Sequence, residues 1–178
     1  MTAFELSHSG LFQNARNTLY PFRRTVNSLK DLASIVRYDH CAALFRANHR
    51  TKNYYILSNV AIVDVDNKGL PAEQWMTPES AYKAFNDPEM FVVYSRNHNK
   101  DKLHTNGSLE SPRPRFHLYF PLDKPCKDGE LYKRTLKEAC SAFPAVDKGA
   151  TNDCAHFFYG VENPVCEYWA GGEKVESI

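Results

Sequence analysis

The sequence predicts one α+β domain in which an antiparallel sheet, of split βαβ type, carries its helices on one face. Between residues 59 and 160, apolar strands and amphipathic helices follow each other in the order strand-helix-strand-strand-helix-strand. The chain has 178 residues, 43% of them apolar, which is enough for a single domain with a core. We expect an N-terminal module of helix and strand (1–58), a core (59–160) and a C-terminal arm (161–178).

The N-terminal module is predicted to hold an edge strand and a helical stretch. Residues 1–16 lack a clear periodicity, which predicts a partly ordered lead-in. Residues 17–26 mix β-forming side chains with two arginines and fit an edge strand. Ser28 can cap a helix, and apolar residues then follow at helical spacing, so we expect one helix or two short helices over 29–49.

The core is divided into six elements by its apolar periodicity and by capping and breaking residues. In chain order these are a strand at 59–66, a helix at 77–86, strands at 90–95 and 115–120, a helix at 128–143 and a strand at 156–160. Pro121 is expected to end the third strand, and residues 96–114 to form a long polar loop. The first and third strands of such a sheet are central neighbours, as in RRM-like domains.

Two aspartates stand on one face at the end of the first core strand. Side chains alternate along a strand, so Asp64 and Asp66 point to the same side. Two unpaired carboxylates this close repel each other, and a hard divalent cation such as Mg²⁺ would hold both of them ionised. The alternative is a solvated strand end, in which Asn67 and Gly69 form a turn.

Two further segments favour a metal site that binds phosphate. Arg115 and His117 share one face of the third strand, which the expected strand order places beside the aspartates. After the second core helix, Asp147 or Asp153 could return to the same sheet face as a third carboxylate. Three carboxylates around two metal ions are suited to phosphoryl transfer.

In this respect the chain resembles the archaeo-eukaryotic primase superfamily, the primase-polymerases, in the form found in phages and mobile elements. Three motifs carry the resemblance in the right order: Asp-x-Asp at 64–66, a segment ending in x-His at 115–117, and an apolar residue before aspartate at 146–147. The resemblance extends over about residues 28–160. Further segments typical of these proteins are "YDH" at 38–40, the basic aromatic stretch at 46–55, "WMTPE" at 75–79, "YSRNH" at 94–98 and "RPRFHLYFP" at 113–121.

Two positions depart from the pattern of that superfamily. Arg115 stands where many members have serine, and His156 precedes "FFYG" where an arginine is expected. A contact that such an arginine would make to template or phosphate is therefore not expected from His156 at neutral pH.

The resemblance implies an RRM-like catalytic core with an N-terminal α/β extension, and an activity. The activity is template-directed nucleotidyl transfer, by a DNA primase, a DNA polymerase or both, in the replication of a phage or mobile element. Asp64, Asp66 and Asp147 would hold two Mg²⁺ or Mn²⁺ ions. The residues expected to contact the nucleoside triphosphate are His117, Arg115, Arg113, Arg96 and Ser95.

Single-stranded DNA is the template that we expect, and a helicase encoded with the protein would be a further partner. Net charge is only +1, so nucleic-acid contact must come from local clusters. Residues 46–55 combine basic and aromatic side chains, which suits single strands, and Arg46, Arg50 and Lys52 are the expected contacts; the alternative is a solvated loop. With no long apolar run and no secretory signal, we expect no membrane contact and a cytoplasmic location in a bacterial or phage-infected cell.

Two other functions are compatible with the expected fold. A nucleic-acid-binding module of the RRM type, without catalysis, would display aromatic residues on its central strands, where this chain has aspartates. A metal-dependent nuclease that initiates replication would use a cluster of histidines and a nucleophilic tyrosine, and the sequence lacks a His-apolar-His triplet.

Overall fold

A computed structural model of the chain describes residues 1–103, 106–170 and 173–177. Within these ranges the protein has an α+β fold with three α-helices and with antiparallel sheets of six, three and two strands. Residues 104 and 105 of the predicted loop, and residues 171, 172 and 178 of the predicted arm, lie outside the described part. No helix in the described part is long and apolar enough to cross a bilayer.

The N-terminal module is built on a three-stranded antiparallel sheet. In this sheet β1 (Phe4–His8) lies between β2 (Phe22–Val26) and β3 (His40–Cys41), so the predicted edge strand is confirmed as β2. The prediction of a partly ordered lead-in over residues 1–16 was wrong for residues 4–8, which form β1, whereas residues 9–16 contain no helix or strand. The apolar side chains of β1 are fully buried, and a strand this short gives little periodic signal in the sequence.

Helix α1 (Leu29–Val36) begins where it was predicted. The backbone N–H of Asp31 donates to Oγ of Ser28 over 3.1 Å, which satisfies one of the free amides of the first turn. The helix ends at Val36, so the prediction of helix as far as residue 49 was wrong. The chain instead continues into β3 and then β4 (Ala43–Phe45), whose residues are buried on both faces. A short apolar run of this kind has no periodicity that separates strand from helix.

The large sheet consists of six antiparallel strands. In chain order they are β4, β5 (Tyr55–Val65), β6 (Met90–Tyr94), β9 (Phe116–Cys126), β10 (Cys166–Ala170) and β11 (Glu173–Ser177). Their spatial order is β11-β10-β6-β9-β5-β4. The prediction that the strands of the "DVD" and "RFH" segments are neighbours is therefore confirmed, because these strands are β5 and β9.

Three details of the core differ from the prediction. Strand β9 continues beyond Pro121, which lies opposite Val60 at a register shift, where a residue without an N–H is tolerated. The predicted loop contains a hairpin of β7 (Lys102–Leu103) and β8 (Leu109–Glu110). Residues 156–160 do not form a strand of the sheet, since they make only one isolated β-bridge.

The two faces of the large sheet are covered by different parts of the chain. Phe120 of β9 packs against Phe85, which follows helix α2 (Pro78–Ala84). The ring of Phe85 also contacts the segment after helix α3 (Gly129–Cys140). The preceding residue, Tyr119, points the other way and packs on Phe4 of β1, while its hydroxyl is 2.6 Å from Nε2 of His40. The N-terminal module thus covers the face that carries the candidate site.

Candidate active site

A cleft of about 280 Å³ opens where the end of β5 meets the start of β9. The predicted site residues that line this cleft are Asp64, Asp66, Asp147, His117, Arg115, Arg96 and Ser95. Arg113 does not line the cleft but contacts Asp66 from behind it. The cleft is also lined by Asn97, Lys102, His156, Val161 and the segment 157–159.

The first motif meets the second because of the strand register. Asp64 of β5 lies directly opposite His117 of β9, and directly opposite residues share a face. Nε2 of His117 is 3.7 Å from Oδ1 of Asp64. An acidic and an imidazole side chain that are 53 residues apart in the sequence are thereby fixed side by side.

The third motif reaches the same place by pairing with the end of β5. The backbone N–H of Asp147 donates to the carbonyl of Asp64 over 2.9 Å, and that of Asp66 donates to Ala145 over 3.0 Å. These bonds place the carboxylate of Asp147 at the cleft. Asp153, the alternative third acid, accepts a hydrogen bond from its own loop and lines a separate hollow.

The surroundings of Asp64 in the cleft oppose the ionisation of its carboxyl group. Burial first, and then the neighbouring carboxylates of Asp147 and Asp66, raise the pKa of Asp64 to about 7, while Lys102 acts in the opposite direction. A cation bound beside Asp64 would remove both causes, because it compensates the desolvation and the repulsion.

His117 is a neutral side chain at the floor of the cleft. It is 8% exposed, and burial, followed by the neighbouring His40 and His156, lowers its pKa to about 3. Its Nδ1 is buried, and no hydrogen-bond partner for it exists in the described part of the chain. The ring of Phe158 packs beside it at 4.8 Å between centroids. An imidazole held in this way has hydrogen-bonding capacity left for a ligand.

Asp66 is held by two arginines. Nε of Arg115 donates to Oδ1 of Asp66 over 2.8 Å, and Nε of Arg113 donates to its backbone carbonyl over 2.6 Å. Both guanidinium groups also contact Glu110 of β8, at 2.7 Å from Arg113 and 3.3 Å from Arg115. Their expected contact with phosphate stays a prediction; what these groups do in the structure is orient Asp66 and fasten the β7–β8 hairpin.

Arg96 differs from these two arginines because it forms no ion pair with any described residue. Its guanidinium lies 4.7 Å from the centroid of the Tyr159 ring and faces the cleft. Ser95, which precedes it, donates its backbone N–H to the carbonyl of Arg115, so the start of the loop is tied to β9. Arg96 is therefore the arginine of the cleft with charge left to offer a ligand.

The acids fit a hard divalent cation in part. Asp64 and Asp147 supply oxygen ligands, and the repulsion between their carboxylates favours the binding of a cation between them. Mg²⁺ commonly binds one or two protein carboxylates. No group of three His, Cys, Asp or Glu side chains in residues 1–103, 106–170 and 173–177 is arranged to hold a metal. Of the three acids, Asp66 has its Oδ1 bound by Arg115.

The predicted nucleic-acid residues occupy two different environments. Arg46 and Lys52 are exposed. Arg50 is half-buried: its guanidinium lies 4.5 Å from the ring centroid of Phe157 and donates to the carbonyl of Ala155 over 2.9 Å. Arg50 thus reaches the back of the cleft wall, whereas Arg46 does not line the cleft.

Asn67 is a structural residue of the site that sequence reasoning assigned only to a turn. Its side chain is fully buried, and its Oδ1 accepts from the N–H of Met76 over 2.7 Å. Its Nδ2 donates to the carbonyls of Met76, over 3.0 Å, and Pro114, over 2.9 Å. The signal in the sequence was an asparagine directly after "DVD". In the structure this residue has a backbone φ of 53°, which asparagine tolerates.

No protein-family model, curated protein or solved structure matches this chain. Its function is therefore inferred from the chemistry of the cleft.

Proposed function

We propose that the protein is a metal-dependent nucleotidyltransferase that extends a nucleic-acid chain on a single-stranded DNA template, as a primase, a polymerase or both. One observation carries the proposal: Asp64, Asp147 and Asp66 meet one neutral imidazole, that of His117, in a single cleft. Acids alone would repel a nucleotide, so such a set is useful only with a bound cation.

The proposed fold is the RRM-like plan of the archaeo-eukaryotic primases. The elements β5, α2, β6, β9 and α3 follow the order strand-helix-strand-strand-helix, with β5 and β9 adjacent. This order supports the split βαβ assignment. The N-terminal sheet and α1 would then be the extension that closes one side of the cleft.

Asp64 and Asp147 would hold Mg²⁺ or Mn²⁺, and Asp66 would contribute once Arg115 releases it. Two such cations would lower the pKa of an attacking 3′-hydroxyl and would neutralise charge on the triphosphate and the departing pyrophosphate. The carboxylates would also restrict where a nucleotide can bind. Because they repel phosphate, a phosphate group could lie beside them only where a cation is bound between the two.

The other residues of the cleft would bind and orient the triphosphate. His117 is neutral over the physiological range, so it can donate one hydrogen bond to a phosphate oxygen without competing with Asp64 for charge. Arg96 can contact phosphate in a bidentate manner. Arg113 and Arg115 would act through Asp66, by fixing the direction of its carboxylate.

A binding module of the RRM type without catalysis is the second candidate. It is favoured by the engagement of Asp66 with Arg115, which leaves two acids where a two-metal enzyme uses three. The two candidates differ in their need for a cation. A module would bind nucleotide or single-stranded DNA equally well with and without Mn²⁺, whereas the enzyme would bind nucleoside triphosphate only with it.

The experiment is extension of a labelled primer on a single-stranded DNA template by the purified chain, with nucleoside or deoxynucleoside triphosphates and Mn²⁺ or Mg²⁺. We expect Asp64→Asn to lower the rate by at least about 100-fold, as for loss of a group that stabilises transition-state charge. Asp123→Asn, on the exposed part of β9, is the control and should keep full activity. Equal extension by the wild type and Asp64→Asn would remove the proposal.

A further inference from the structure

One wall of the cleft is formed by the aromatic segment 157–159. The segment 157–159 is extended, so its side chains alternate. Phe158 points inward, is 5% exposed, and packs against the rings of His40 and His117. Its neighbours Phe157 and Tyr159 differ in exposure: Tyr159 is 38% exposed, whereas Phe157 is half-buried and packs against a small buried cluster that includes Tyr20 and Ala155.

These two rings are bracketed by cations. The guanidinium of Arg96 lies 4.7 Å from the centroid of Tyr159. The ring of Phe157 stands edge-on to Tyr159 at 4.9 Å, and the guanidinium of Arg50 lies 4.5 Å from Phe157. Arg96, Tyr159, Phe157 and Arg50, in that order, form what we call the aromatic ladder.

The ladder connects the catalytic cleft with a second hollow. Arg96 lines the cleft, whereas Arg50 lines a hollow of about 440 Å³ together with Lys52 and Lys133. Glu130 and Asp153 also line it, and Glu130 pairs with Lys133. Lys52 forms no ion pair with any described residue, and Nε of Arg50 is buried without a hydrogen-bond partner in the described part.

The ladder is supported by a rigid backbone. Phe158 and His40 exchange two backbone hydrogen bonds, of 3.0 and 2.8 Å, and the N–H of Gly160 donates to Oδ1 of Asp39 over 2.8 Å. Gly160 approaches the N-terminal module so closely that an added Cβ would be 2.3 Å from the carbonyl oxygen of Arg37. The backbone on either side of Tyr159 is thus held in place before any ligand arrives, which lowers the entropy lost on binding.

We propose that the aromatic ladder binds single-stranded nucleic acid, with a base stacked on the exposed ring of Tyr159 and the backbone contacted by Arg50 and Lys52. Stacking rings next to cations hold single strands without reading their sequence. Duplex nucleic acid is disfavoured, because its bases are already stacked and offer no free face. That the bound strand is the template rests on the proposed function, whereas its binding to the ladder does not.

The test is fluorescence anisotropy with a labelled oligothymidylate of about 15 nucleotides, near the upper end of single-strand site sizes. The buffer contains EDTA and no nucleotide, so that the acidic cleft does not contribute. We expect the wild type to bind this probe more tightly than a blunt duplex of the same length. Tyr159→Leu, which keeps apolar bulk but removes the π-face, should weaken binding about tenfold, and Tyr159→Phe should not.

Two matched controls separate the ladder from the general surface. Phe22→Ala removes a ring that is 42% exposed on the three-stranded sheet and should leave affinity unchanged. Lys52→Gln should reduce the slope of log affinity against log salt by about 0.7, the value for one phosphate contact on a single strand. Lys30→Gln, on the exposed side of α1, should not reduce it.

The proposal is overturned if the wild type fails to prefer the single strand, or if Tyr159→Leu binds as tightly as Phe22→Ala. Its failure differs from that of the proposed function. Primer extension that depends on Asp64, with normal single-strand binding by Tyr159→Leu, would reject the ladder alone. No extension by the wild type, with binding that needs Tyr159, would reject the enzyme and keep the ladder.

Discussion

Replacement of Asp64 by asparagine should stabilise the metal-free protein at alkaline pH. In the folded protein the pKa of Asp64 is raised to about 7, first by burial and then by Asp147 and Asp66. Above that pH, folding must hold an ionised carboxylate beside two others. Asparagine has nearly the same shape and no charge, so it removes this unfavourable term.

The sign and size of the effect follow from linkage between protonation and folding. The unfolded carboxyl titrates near 3.8, so the destabilisation by Asp64 is absent below that pH, grows as the pH rises, and is complete above about 7. A difference of roughly three pKa units sets an upper limit of about 4 kcal/mol. An amide in the same buried place keeps part of the desolvation, so we expect a gain of about 1–3 kcal/mol, or several degrees in Tm.

The assay is thermal unfolding of the wild type and Asp64→Asn in EDTA, at about pH 8.5 and about pH 4. The variant should melt higher only at the alkaline pH. Asp123→Asn removes the same charge six residues beyond His117 along β9, about 20 Å away, and reports the effect of net charge alone. Added Mn²⁺ should raise the Tm of the wild type at alkaline pH and leave that of Asp64→Asn nearly unchanged.

An Asp64→Asn variant that is less stable than the wild type at both pH values would refute the reasoning. It would mean that the carboxylate of Asp64 makes a favourable contact in the metal-free cleft. A shift of equal size for Asp123→Asn would show instead that overall charge, and not the acidic cluster, governs the stability.

Two substitutions test how the site is supported. Arg115→Lys should lower the free energy of unfolding in urea by about 3 kcal/mol, because a single ammonium cannot replace the buried guanidinium that binds Asp66. A loss below about 1 kcal/mol would contradict that role. Gly160→Ala should cost about 2 kcal/mol or more by the same measurement, since the new methyl group would meet the backbone carbonyl of Arg37, and an unchanged midpoint would show that the wall can move.

The centre of the site could be predicted from the sequence because strand geometry is periodic. Alternation put Asp64 and Asp66 on one face, and the expected strand order placed them beside His117. Asp147 was one of two acids that could follow the second core helix. Choosing between it and Asp153 required the pairing of residues 145–147 with the end of β5, which depends on long-range contacts.

The roles of the arginines could not be predicted, for a physical reason. A guanidinium on a flexible side chain can reach partners in many directions, and the sequence states only that it is charged. Arg113 and Arg115 turn back to Asp66 and Glu110, while Arg96 lies over a ring. The short strands β1, β3 and β4 were missed because they are buried on both faces for most of their length and so show no alternation that separates a strand from a loop or a helix.

The amide of Asn67 has a consequence for how this part of the chain can vary in length. It binds both the N–H and the carbonyl of Met76, so it holds the two ends of the loop 68–75 together, as a backbone-bonded residue pair does in a sheet. Extra residues inserted there would lengthen a closed surface loop, whose entropy grows only slowly with size. Such an insertion would leave Asp64 and Asp66 in place. A single residue added before Asn67 would instead displace these two aspartates.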